Sequence, residues 1–239
     1  MNNMNRKERY RFWGDLFRNA KDEELDALHE RYYKEELGID VRSYCKYDFG
    51  SKKTRLPHLH AKDEFVKNLI LEKGGIKAIL NVAFWCGAFV FHMGLMGFHV
   101  DGIECYRKAV EAAKEKQGTL PPQTASRFNF YYGFAEHLEE YPKYDVVVNH
   151  CLEHVRNPSL VMRESLEHIK PGGYAYFTPP LKHGCDSPLH LHHFENEQAI
   201  LDLLPAGFEA NIYRTKFQKS SRKPNIFVVE AYHSDHKSC

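Results

Sequence analysis

The sequence predicts an α/β protein: a mostly parallel β-sheet with helices on both faces, an antiparallel edge, and a helical extension in front of it. Three observations carry this. From residue 61 onward, short apolar runs suited to buried strands alternate with longer runs at helical spacing. The chain then finishes on two β-rich runs with no helix between them, which closes the sheet with an antiparallel pair. Residues 5–37 show only helical spacing, with aromatic and charged residues interleaved.

Each element follows from its residues. In the extension, Tyr10, Trp13, Leu16 and Phe17 fall on one face, and Leu25, Leu28, Tyr32 and Leu37 on another, with Gly38 as the stop. The next stretch, DVRSYCKYDFGSKKTRLPHLH, has no period and reads as a linker or a flap over a site. AKDEFVKNLILEKGG is a helix ended by Gly74 and Gly75, and KAILNV a buried strand. AFVFHMGLMG is the next helix, FHVDGIE the second strand, YRKAVEAAKEKQG a helix and RFNFYYG the third strand. YDVVVNH is the fourth strand. NPSLVMRESLEHIKPGG is a helix capped by Asn157, with Pro158 in its first turn. YAYFTPP makes a fifth strand, FENEQAILDLLPAG a last helix, and FEANIYRTKF with NIFVVEAY the terminal pair.

Composition limits the function. The 239 residues are 43% hydrophobic and 13% aromatic, enough for one sizeable core. Lys and Arg total 33 against 32 Asp and Glu, so no general positive field gathers nucleic acid. No apolar run is long enough to span a bilayer, no secretory signal is visible, and the six cysteines form no CxxC pair. These features predict a cytoplasmic protein with free thiols, no membrane and no nucleic-acid partner. They leave the oligomeric state open.

In such a sheet, ligands bind beyond the C-terminal strand ends, where the strand order reverses. The loops after ILNV, DGIE, FYYG and VVVN should therefore meet over one crevice. Glu104 ends the second strand about 20 residues beyond the first loop, where an acid can accept both hydroxyls of a ribose. The lack of a G-x-G-x-x-G after ILNV counts against a nicotinamide dehydrogenase.

The segments ILNVAFWCG, VDGIE, CLEHV, IKPGG and FTPP occur in an order and at a spacing that resemble class I S-adenosylmethionine-dependent methyltransferases, in the ubiquinone and sugar O-methyltransferase-like small-molecule branch. The resemblance covers about residues 60–215. It implies a seven-stranded Rossmann-like fold, with a methyltransferase domain over residues 61–239 and a substrate-covering extension over residues 1–60. It also implies S-adenosylmethionine as cofactor, held by Asn81, Ala83, Phe84, Trp85, Gly87, Glu104, Cys105, Phe134, Ala135 and Asn149. The reaction it implies is methyl transfer to a small molecule, first to a hydroxyl and second to an amine, of a sugar or glycosylated metabolite.

The departures matter. Asn81 stands where relatives carry an acid, Ala83 and Trp85 stand in for two glycines, and Phe134 replaces an Asp that bonds the adenine amino group. The Trp85 indole must point away from the crevice or form its wall. If it fills the crevice, the alternative is a non-catalytic scaffold or partner subunit. RNA methylation is disfavoured by the balanced charge and by the lack of an Asn/Asp-Pro-Pro-Tyr motif after the fourth strand. His150 and His154 are the catalytic candidates, since a neutral imidazole can take a proton from a hydroxyl. Ubiquinone-biosynthesis relatives carry Glu-x-x-Glu-His here for a divalent metal, whereas this chain has His150, Glu153 and His154. That set can ligate a metal, but the reading is that no metal is bound. His183, His190, His192 and His193 match no structural zinc spacing, and the resemblance puts His192 and His193 over the substrate.

Overall fold

The computed structural model describes residues 4–40, 58–181, 187, 189–216 and 226–235. The elements are α1 (Arg6–Asn19), α2 (Asp22–Glu35), α3 (Ala61–Lys73), β1 (Ala78–Val82), α4 (Ala88–Leu95), β2 (His99–Glu104), α5 (Arg107–Gly118) and α6 (Pro122–Ala125). They continue through β3 (Phe128–Tyr132), β4 (Tyr144–Asn149), α7 (Pro158–Glu167), β5 (Ile169–Phe177), α8 (Gln198–Leu201), β6 (Phe208–Thr215) and β7 (Ile226–His233). One sheet runs β3-β2-β1-β4-β5-β7-β6. Its first five strands are parallel, and β7 lies antiparallel to both neighbours. The strand order reverses between β1 and β4, which places the crevice there.

The alternation of strand side chains separates two cores. Ile79, Val146, Val148, Tyr176 and Val228 face the layer that holds α3, α4, α5 and the aromatic residues of α1 and α2. Leu80, Val82, Val147, Phe177 and Val229 face Val161, Met162 and Leu166 of α7. Burial of a large apolar side chain contributes roughly 1.5–3 kcal/mol. Trp13, Phe17 and Tyr32, all buried, join α1 to α2, and Tyr33 with His29 carries the pair onto Trp85 and Tyr106 of the domain.

Local signals explain most boundaries. The Asn157 side chain accepts the Leu160 N–H at 3.1 Å, with Pro158 in the first turn of α7. Gly74, at φ +66°, ends α3. Three expectations are corrected. The expected last helix across residues 194–207 is a single turn, Gln198–Leu201, because Pro205 and Gly207 (φ +87°) lie only a few residues beyond it. β5 starts at Ile169, ahead of the glycines, and its register against β4 shifts between Tyr144 and Val146. Cys105 and Cys151 are free thiols, but Cys86 is disulfide-bonded, which corrects the expectation of free thiols at that position. Among the described residues no helix is long and apolar enough to cross a membrane. The expected flap within residues 41–57, and His183 and Cys185, lie outside the described residues.

Candidate active site

A cavity of about 280 Å³ opens over the C-terminal ends of β1, β2 and β4 and is roofed by α1 and α2. Its floor comes from Ala83, Trp85, Glu104 and Cys105, one side from Phe134 and Ala135, and another from His150 and His154. Its roof comes from Phe17, Leu25, His29 and Tyr33.

The floor keeps a glycine-loop backbone without the glycines. Ala83 and Trp85 adopt φ of +57° and +51°, a left-handed conformation that costs a residue with a side chain about 1–3 kcal/mol. Gly87, at φ +80°, caps α4. Two hydrogen bonds hold the loop over β2: Ala83 N–H donates to the Ile103 carbonyl at 2.8 Å, and Trp85 N–H donates to Glu104 Oε2 at 2.8 Å. Phe84 points the other way, into the core against Phe130, where Gly102 leaves room. A Cβ on Gly102 would lie 2.7 Å from the Phe84 ring.

Glu104 is buried, and burial pushes its carboxyl above the usual range, opposed by the N–H donors of Trp85 and Tyr106. Oε1 accepts the Tyr106 N–H at 3.2 Å and Oε2 the Trp85 N–H. Oε1 also accepts from the Cys105 thiol at 3.5 Å, so with about two acceptor positions on each oxygen it is Oε2, holding the Trp85 N–H, that can still receive a hydroxyl. The Trp85 indole does not fill the notch. It stacks under the roof, 4.7 Å from the Tyr33 ring and 6.4 Å from that of Tyr106. The residues therefore fit an adenosyl group: an acid, a folded backbone loop and an aromatic wall surround open volume.

The roof carries its own imidazole. His29 Nδ1 lies 2.8 Å from the Leu25 carbonyl, which fixes the proton there, and burial lowers its pKa to about 4. Phe17, Tyr33 and Tyr106 surround the ring. Arg156 ties the roof down from the β4 side by pairing with Asp22 and donating to the Ala20 carbonyl.

At the end of β4, His150 sits in a polar cluster. Lys62 Nζ is 3.1 Å from His150 Nδ1 and 2.6 Å from Asp63 Oδ1, and Thr178 Oγ1 lies 2.8 Å from the same imidazole nitrogen. Lysine only donates, so Nδ1 accepts and the proton belongs on Nε2. Burial first, then the Lys62 charge, lowers His150 to about 3. His154 has the opposite arrangement. Its Nδ1 faces the Leu189 carbonyl at 3.0 Å, which leaves Nε2 as the lone pair. Desolvation lowers His154 to about 4, an effect weakened by the 36% of its side chain that is exposed. Beside it, burial raises Glu153 to about 7.

The fold thus gathers Ala83, Trp85, Glu104, Cys105, Phe134, Ala135, His150 and His154 around one volume. It does not bring in the rest of the expected set. Asn81 lies inside the sheet, donating to the Val148 carbonyl at 3.1 Å. Asn149 is buried against Ser165 and the Cys151 N–H. Phe84 and Gly87 shape the loop from below. His192 approaches the Arg156 carbonyl at 3.3 Å, and His193 is exposed, so neither lines the cavity. Sequence reasoning missed Lys62, Asp63, Thr178, His29 and Tyr33. The helical stripe of Leu25, Leu28, Tyr32 and Leu37 passed over the last two, and nothing in the sequence joins residue 62 to residue 150.

The sequence matches the methyltransferase-domain family over residues 85–219. A ubiquinone biosynthesis O-methyltransferase of Aliivibrio fischeri (strain MJ11) is 29% identical over 184 residues, covering 72% of this chain and 76% of that protein. Among solved structures, the glycopeptide N-methyltransferase MtfA complexed with S-adenosyl-L-methionine superposes with a TM-score of 0.59 at 14% identity, covering 74% of this chain and 95% of that one. The [4+2]-cyclase SpnF superposes equally well, at 0.59 and 16% identity, with 82% and 93% covered. At such identities the superpositions establish the fold alone, and a cyclase among them shows why the chemistry must be argued from the site.

Proposed function

The chain belongs to the methyltransferase-domain family and is an S-adenosylmethionine-dependent methyltransferase of small molecules, and from that premise we propose that it methylates a hydroxyl of a sugar or glycosylated metabolite. The cofactor supplies a methyl group activated by its sulfonium. Everything else is the work of side chains and loops. Glu104 receives a ribose hydroxyl, the backbone from Ala83 to Gly87 holds the amino-acid portion, and Phe134 with Ala135 borders the base.

Direct displacement needs an aligned acceptor more than a strong base, because an oxygen becomes very acidic once it gains a methyl group. The two imidazoles divide that task. His150, neutral with its proton on Nε2, donates a hydrogen bond that orients the acceptor. His154, with Nε2 unprotonated, takes the acceptor's proton. Lys62 and Asp63 are positioning residues that hold the His150 tautomer.

The observation that carries this reading is Glu104 and the left-handed Ala83–Trp85 loop meeting across open volume, with the indole as wall. Titration with S-adenosylhomocysteine, followed calorimetrically, tests it: saturable binding is expected, weakened in Glu104→Gln by about 1.5–3 kcal/mol, the value of hydrogen bonds to a charged group. Absence of binding to the unaltered protein would return the scaffold reading. A screen of sugars and glycosides against simple phenols and amines, read by methyl incorporation, tests the acceptor class. Turnover confined to phenols or amines would overturn the sugar assignment.

A further inference from the structure

The family's divalent-metal position invites a test of fit, and of His150, Glu153 and His154 the first does not fill it. His150 is drawn away by Thr178 and Lys62, and the Lys62 ammonium, 3.1 Å from its Nδ1, would repel a cation there. Glu153 and His154 instead gather with His190. Ligand atoms of Glu153, His154 and His190 all lie within 4.8 Å of one another, with His154 Nε2 at 3.6 Å from Glu153 Oε1.

Three further features distinguish this cluster from a chance gathering. Glu153 is only 6% exposed, and its Oε2 is buried with no hydrogen-bond partner among the described residues. A carboxylate oxygen left so is costly unless something else satisfies it. His154 donates its Nδ1–H to the Leu189 carbonyl, the arrangement that fixes a ligating imidazole and presents its other nitrogen. The backbone is built to keep the partners together: the Glu153 carbonyl accepts the N–H groups of Leu191 at 2.7 Å and His192 at 3.1 Å, so the segment bearing His190 is pinned beside the turn bearing Glu153.

We propose that Glu153, His154 and His190 form a binding site for a zinc-class transition-metal ion, with His190 supplied by a distant segment in place of His150. Two imidazoles and one carboxylate suit zinc or cobalt better than magnesium, which favours oxygen ligands. Ligands about 2 Å from such an ion lie roughly 3–4 Å apart, so the cluster contracts by about an ångström on binding. Three protein ligands leave a coordination position open. The inference deepens the reading above and rests on it only through His154, which belongs to both ligand set and cavity wall. Ion and acceptor proton therefore compete for one Nε2 lone pair.

The test is titration of the full chain, stripped with a chelator, with zinc by calorimetry and with cobalt(II) by visible absorption. One ion per chain is expected. Glu153→Gln, His154→Ala and His190→Ala should each weaken zinc by at least about 100-fold, the upper range for loss of even a supporting partner. His150→Ala and His193→Ala should keep the unaltered affinity. No saturable binding, unchanged affinity in any of the three ligand variants, or equal loss in His150→Ala and His190→Ala would overturn the site. Circular dichroism checks each variant's fold, and His190→Gln replaces His190→Ala if the latter fails to fold. Zinc binding by a protein that ignores S-adenosylhomocysteine would leave this site standing and count instead against the methyltransferase assignment.

Discussion

The floor and the roof of the cavity are built by opposite strategies. The floor is made of main chain: the loop from Ala83 to Gly87 keeps its left-handed turns although two of its residues carry side chains that oppose them. The roof is made of side chains: Phe17, His29 and Tyr33 extend from α1 and α2 into a cluster with Trp85 and Tyr106. Both meet at Trp85, whose backbone serves Glu104 and whose indole serves the roof. A side chain that would obstruct a cofactor in an open site becomes here the surface on which a helical cover rests. Strain in the floor is offset by packing in the roof.

The largest break in this comparison should come from Tyr33→Ala. Removing a buried ring from the cluster is expected to cost about 3–4 kcal/mol of stability, measured by chemical denaturation, and to weaken S-adenosylhomocysteine by loosening the roof. A loss under about 1 kcal/mol would mean that α2 is not anchored through Trp85.

Acid should affect the roof next. The folded pKa of His29 is about 4, below its ordinary 6.5, because burial disfavours the charged ring. Between these values the unfolded chain binds the extra proton, so stability is full above about 6.5 and falls as pH drops toward 4. Over the window from pH 6.5 to 5, His29 contributes on the order of 2 kcal/mol of that loss. His150 acts with the same sign, and Glu153, raised to about 7, with the opposite one. His29→Leu should flatten the stability profile in this window, and an unchanged slope would remove His29 from the account.

The smallest effect belongs to the floor. Ala83→Gly relieves a left-handed residue and should stabilise the protein by about 1 kcal/mol, visible as a raised denaturation midpoint. Destabilisation instead would show that entropy lost from the unfolded chain outweighs the strain.

How much of this was legible differs from element to element. The fold was, because apolar periodicity and the caps at Gly74 and Asn157 report directly on strand and helix boundaries. Glu104 was, since the end of a strand in a known register can face only one crevice. The short α8 was missed because apolar spacing outweighed the breakers Pro205 and Gly207 in the reading. His192 and His193 were favoured over His190 because a histidine-rich stretch does not reveal which ring turns inward.

The sequence by itself determined the alternation of strands and helices with its antiparallel end, the place of the crevice and the identity of the acid at its floor, because each follows from local pattern and chain connectivity. Only the tertiary structure decided that Ala83 and Trp85 keep a glycine's conformation, that Lys62 and Asp63 claim His150, and that His190 joins Glu153 and His154. These are contacts between residues far apart in the chain or φ angles that local preference opposes, and packing alone sets them.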